Sequence, residues 1–128
     1  MSKQIINPPN MPRPGGYSYA IKKSGTPVFI AGQVALNGAG ELIGEGDAAA
    51  QVEQVFQNLR TVVEAAGGTM DDIVKITIFV TDAAYRPAVA AARQRHFKDG
   101  QYPASTYLVV SALALPQLLV EIEAVAVV

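Results

Sequence analysis

Apolar positions in this chain follow two periods, one helical and one of two residues. Over residues 47–66, Val52, Val55, Phe56, Leu59, Val62, Val63 and Ala66 fall at i, i+3, i+4, i+7, i+10, i+11 and i+14, the spacing of one buried helix face. Asp47 is the N-cap of that helix, and Gly67 and Gly68 end it through left-handed backbone. Strands are predicted over 28–35, a run of β-branched and apolar residues, and over 73–80, where Val74, Ile76, Ile78 and Val80 face one way and Lys75 and Thr77 the other. Two more fill the last quarter, at 102–110 and 119–128. In the latter, Val120, Ile122, Ala124, Ala126 and Val128 share one face, and Leu119, Glu121, Glu123, Val125 and Val127 share its opposite.

A strand also opens at Tyr17, a short one is expected around 41–43, and a second helix runs from Pro87 to about Lys98 with Val89, Ala92 and His96 along one stripe. Taken in order these elements make an α+β layer, a mixed sheet of about six strands with two helices on one face. Residues 1–16 contain Pro8, Pro9, Pro12, Pro14, Gly15 and Gly16 and read as an extended arm. No linker or repeat divides the chain, so residues 1–128 are expected to form a single domain.

Composition changes this picture in one respect. Charged residues are 16% and hydrophobic residues 50% of the chain, against about 25% charged in an average domain. More apolar surface is expected than a small monomer hides, which predicts a homo-oligomer. The net charge is −1 and no basic cluster exceeds Lys22 and Lys23, so nucleic acid is not an expected partner and a ribonuclease role is disfavoured. There is no cysteine and a single histidine, His96, so no metal site is expected. No run approaches the ~18 apolar residues of a membrane span, and the expectation is a soluble cytoplasmic protein without a membrane partner. No nucleotide or cofactor motif is present; the glycine-rich stretch 37–46 lacks the lysine of a phosphate loop and reads as a turn, so no cofactor is expected.

The chemistry then rests on a few polar residues in apolar strands. Glu121 is costly in its strand unless it faces solvent, finds partners or serves a site. The residues alone leave both a surface role and a general-base role open, and Glu123 on the same face competes with it. Ser105 and Tyr107 share a face of the 102–110 strand, so two hydroxyls and a carboxylate would converge if the last two strands were close. Tyr17 is either a strand-edge aromatic or a phenol lining a site. His96, without an acidic or nucleophilic partner at motif spacing, reads as a helix residue and not as a catalyst.

Four segments in order, GGY at 15–17, FIAGQV at 29–34, AAGGTMDDIVKITIFVTD at 65–82 and EIEAVAV at 121–127, resemble the RidA/YjgF family of enamine and imine deaminases, also described as L-PSP endoribonuclease-like. The resemblance runs almost from end to end. It implies a chorismate-mutase-like fold assembled as a homotrimer, with Glu121 in a cleft between subunits positioning the water that attacks an imine carbon. It also implies that Tyr17, Ala31, Gly32, Ser105, Thr106 and Tyr107 belong to that cleft, Tyr17 with Glu121 as the catalytic pair.

The sequence departs from the family pattern at several of these positions. Gly16 stands where a proline is usual and Ala31 where the deaminases carry a serine. Ser105 takes the place of the arginine that holds the substrate carboxylate, and Tyr107 that of a cysteine. A serine supplies neither the charge nor the fork of a guanidinium, so the resemblance implies an uncharged or differently anchored substrate rather than the usual 2-imino acid. Of Arg13, Arg86, Arg93 and Arg95, the helix arginines read as solvated, leaving Arg13 on the arm as the nearest stand-in. The expected function is hydrolysis of a small imine, enamine or related C–N bond, with a non-catalytic metabolite-binding trimer as the alternative and an endoribonuclease behind both.

Overall fold

Asp47 starts the longest helix as the pattern requires: its carboxylate accepts from the Ala50 N–H at 3.1 Å and opens α1, Ala48–Ala65. Gly67, at φ +89°, closes it, with the N–H groups of Gly67 and Gly68 donating to the carbonyls of Glu64 and Val63. The computed structural model describes residues 3–128. Its strands are β1 (Gln4–Ile6), β2 (Ala20–Lys22), β3 (Pro27–Gln33), β4 (Ile73–Val80), β5 (Ala104–Val109) and β6 (Val120–Val127), with α2 (Arg86–His96) between β4 and β5.

The six strands divide into two sheets. β1 pairs with β2, and β3, β6, β4 and β5 lie side by side in that order. β4 is central, antiparallel to β6 and parallel to β5, as a strand feeding a helical crossover should be. α1 and α2 pack against each other, and the buried cluster joins them to one sheet face through Val52, Phe56, Leu59, Ile76, Ile78, Val89, Ala92 and Ile122. The Val, Leu, Ile and Phe side chains among them are each worth about 1.5–3 kcal/mol when withdrawn from water.

Several expectations change in detail. A register shift between Ile73 and Lys75 turns Ile73 inward, where strict alternation had placed Val74. The strand expected from Tyr17 starts only at Ala20, because Ser18 makes a lone parallel bridge to Ala104 at the start of β5, its N–H and hydroxyl donating to the carbonyls of Pro103 and Tyr102. Around residues 41–43 only a single bridge forms, Leu36 to Leu42: the Asn37 side chain accepts from the N–H groups of Ala39 and Glu41 and holds a turn. The proline-rich arm is preceded by β1, since Gln4–Ile6 lies ahead of the first proline and its N–H groups are free to pair.

One buried polar side chain ties α1 to the strand that carries Glu121. Gln51 is fully buried; its amide donates to the carbonyls of Gly44 and Gln117 and accepts from the Leu119 N–H, all at 2.9–3.0 Å. Gln51→Leu fills the space but removes the side-chain partner of three part-buried backbone groups, and is expected to cost about 3 kcal/mol, read as a lowered denaturant midpoint at unchanged slope.

Candidate functional site

Residues of the expected site come from three local devices. The first is the contact of Ser18 with Tyr102 and Pro103, which lays the segment 15–19 alongside the start of β5 and sets Tyr17 beside Ser105 and Tyr107. Tyr17 also packs edge-to-face on Tyr19, ring centroids 5.5 Å apart. The second is a register shift in β3 between Ile30 and Gln33, which leaves Ala31 and Gly32 out of the ladder with β6. The third is the alternation of β6, which sends Val120, Ile122, Ala124 and Ala126 into the core and Glu121 to the opposite face.

These devices do not bring the residues to one place within a chain. β5 and β6 are not neighbours, because β4 lies between them. Ser105 and Tyr107 pair with Ile76 and Ile78 and so lie on the helix side of the sheet, whereas Glu121 pairs with Phe79 and Glu123 with Thr77 on the open side. The convergence expected from adjacent strands is therefore corrected: two groups form, on opposite faces. Thr106 goes with the open face, where its hydroxyl receives the Lys75 ammonium at 3.1 Å.

On the open face the Glu121 carboxylate lies over Gly32. A methyl group built on Gly32 would come 1.9 Å from Glu121 Oε2, so the glycine is what admits the carboxylate. None of the ion pairs among the described residues involves Glu121. It is a carboxylate held against backbone, open on its outer side.

On the helix face, Tyr17, Ser105 and Tyr107 line a cavity of about 120 Å³ with Gly15, Val89, Ala90 and two arginines, Arg86 and Arg93. Arg86 lies over the Tyr107 ring, 5.9 Å from its centroid. Burial pulls the Arg93 pKa below its ordinary value and pushes that of Tyr107 up. Arg13, expected as the nearest stand-in cation, instead lines a neighbouring open hollow with Asn7, Gln94 and Asp99. Arg93 thus departs from the solvated position expected of helix arginines, and Arg86 lines the cavity from an exposed one. The signal that would have found them is the stripe Arg86, Ala90, Arg93 at i, i+4 and i+7, with a small residue between two long cations.

Gly16 belongs to the same arrangement. Its φ of +77° is closed to proline, and a methyl group there would sit 2.8 Å from Arg93 Nη2. His96 takes the structural role expected of it, stacked on Phe56 and bonded to Glu53 at 2.8 Å.

Residues 10–128 match the family described as Endoribonuclease L-PSP. A RutC family protein of Pyrococcus horikoshii is 36% identical over 126 residues, covering 97% of each chain. A protein of Dermatophagoides farinae named 2-iminobutanoate/2-iminopropanoate deaminase is 33% identical, covering 98% of this chain and 97% of its own. The crystal structure of a protein of unknown function of the conserved Rid protein family, YyfB from Yersinia pestis, superposes with a TM-score of 0.94 at 40% identity over the whole of both chains. With the order of elements, the sheet topology and these matches in agreement, the chain belongs to the RidA/YjgF family, the family of Endoribonuclease L-PSP.

Proposed function

We propose that this protein is a deaminase-type hydrolase of small imines or enamines, working in a cleft that one copy of the chain completes for another. The observation that carries the proposal is the carboxylate of Glu121 laid over Gly32, unpaired, on the face away from the cavity of Tyr17, Ser105 and Tyr107. A second copy brings such a carboxylate to such a cavity, which a single chain cannot. The open sheet face supports association, since Phe29 is 79% and Leu108 42% exposed there. A homotrimer is the assembly proposed.

In this reaction Glu121 accepts a proton from water as the water oxygen bonds to the imine carbon. The C=N double bond becomes single and its nitrogen takes a proton from solvent, giving a carbinolamine. The same carboxyl then passes its proton to that nitrogen, the C–N bond breaks, and ammonia leaves as the hydroxyl gives its proton back to solvent and becomes the carbonyl: imine and water give carbonyl compound and ammonia. Tyr17, from the arm, lines the path of that water and offers a phenol to the substrate.

The test is imine hydrolysis by the purified protein, with imines generated in situ by an oxidase from many amino acids and neutral amines and their loss followed by trapping. Acceleration of at least one class is expected. A flat panel, with a small molecule that nonetheless raises the melting temperature, selects the second reading, a metabolite-binding trimer without turnover. That reading is favoured by one feature: the helix-side cavity has its binding groups in place within a single chain. RNA cleavage has least support, because the net charge is −1 and no basic cluster along the sequence exceeds Lys22 and Lys23.

A further inference from the structure

Arg86 and Arg93 stand two turns apart on one stripe of α2 with Ala90 between them, so both guanidinium groups reach the same cavity. Its other walls are Gly15, Tyr17, Val89, Ser105 and Tyr107, with no Asp or Glu. Among the described residues neither arginine pairs with a carboxylate. Three polar atoms there, Arg93 Nε, Ser105 Oγ and Tyr107 Oη, are shut off from solvent without a hydrogen-bond partner.

These groups have one property in common: each can donate a proton, and among the described residues no anion receives it. A guanidinium does not shed its charge, so burying one without a counter-charge is costly. Burial is the largest influence on Arg93, the charge of Arg86 adds to it, and only the Tyr102 and Tyr107 phenols oppose. Gly16 lies on the other side of the guanidinium, where a methyl group would come 2.8 Å from Arg93 Nη2. Within one chain this is a site with surplus positive charge and no carboxylate of its own, and so complementary to an anion.

We propose that this cavity binds the carboxylate of a short-chain acid, gripped by the Arg93 fork, with Arg86 at its rim and the Ser105 and Tyr107 hydroxyls donating to it. Val89 and Ala90 give the cavity of about 120 Å³ an apolar wall beside its arginines, which suits a carboxylate on a few carbons. Planarity favours a carboxylate as well, since Nε and one Nη of a guanidinium match its two oxygens. The inference rests on this cavity being the substrate site proposed above, and it names the end by which the substrate is held. Anchoring comes from the helix and not from β5.

The test is calorimetric titration of the intact assembly with propanoate, 2-oxobutanoate, the neutral isostere propanamide and inorganic phosphate. Both carboxylates are expected to bind and propanamide not to. Arg93→Met should weaken carboxylate binding about tenfold or more, the scale of a charge-assisted bond, and Arg93→Lys should retain part of it. Arg86→Met, at an exposed position where folding is not at stake, should weaken it less, while Arg60→Met on the outer face of α1 should leave it unchanged. Adding Ser105→Arg to Arg93→Met returns a guanidinium from β5 and is expected to restore affinity. Equal binding of amide and carboxylate, phosphate binding tighter than either carboxylate, or indifference to both Arg93 and Arg86 would overturn the proposal. Carboxylate binding without turnover of any imine would remove the hydrolase and leave the anchor, whereas turnover indifferent to the substrate's carboxylate would do the reverse.

Discussion

Glu121→Gln is expected to lower imine hydrolysis by about 100- to 10,000-fold, the range spanned by general acid–base groups, with folding, assembly and carboxylate binding unchanged. Glutamine keeps the shape and one oxygen of the side chain but cannot take a proton from water at neutral pH. The fold should not notice, because Glu121 lies on the open face and outside the buried cluster. Gly32→Ala is a companion test of position. Its new methyl group would meet Glu121 Oε2 at 1.9 Å and Cδ at 2.8 Å, and what yields is the end of a flexible side chain, so stability is expected to hold while turnover drops. The two variants separate chemistry from geometry: the first removes the base, the second moves it. Full activity of Glu121→Gln in a purified assembly would remove Glu121 from the reaction.

Where periodicity is local, the elements could be read before the structure. Asp47, the helical stripe from Val52 to Val63 and the two glycines define α1 within twenty or so residues, and the alternation of β6 is complete in eight. Strand order is not local. Nothing between residues 73 and 128 states that β4 lies between β5 and β6, or gives the registers that pair Ser105 and Tyr107 with Ile76 and Ile78 but Glu121 with Phe79 and so set them on opposite faces. The register shift that turns Ile73 inward is hidden for the same reason, since it is decided by the partner strand.

Arg93 was missed because a helix arginine is usually solvated, and what buries it lies 77 residues away in sequence at Gly16, counted as the difference of the two positions. The substitutions at 16 and 105 looked like separate losses from a site. In the fold they accommodate one side chain: Gly16 allows the turn and the close approach, and Ser105 leaves the volume in which a guanidinium from α2 can act.

Phe29→Glu is expected to convert the assembly to monomers and abolish hydrolysis, while changing the stability of the single chain little. The phenyl ring is 79% exposed in the chain, so its removal costs the monomer almost none of its core. On the sheet face that the proposed trimer covers, by contrast, a buried glutamate without a partner is strongly unfavourable. Light scattering reads the mass, and a Phe29→Glu protein that stays fully assembled and active would show that this face is not the contact. The same arrangement allows a sharper check. Glu121→Gln and Arg93→Met chains, assayed at a substrate concentration too low for Arg93→Met alone to turn over measurably, carry their lesions on opposite sides of the sheet. In mixed assemblies a site draws its carboxylate from one copy and its cavity from another, so random assortment at equal amounts leaves about a quarter of the sites intact. Recovery of activity near that fraction on co-refolding is the result expected of a shared cleft, and no recovery at all is the result expected of a cleft built within one chain.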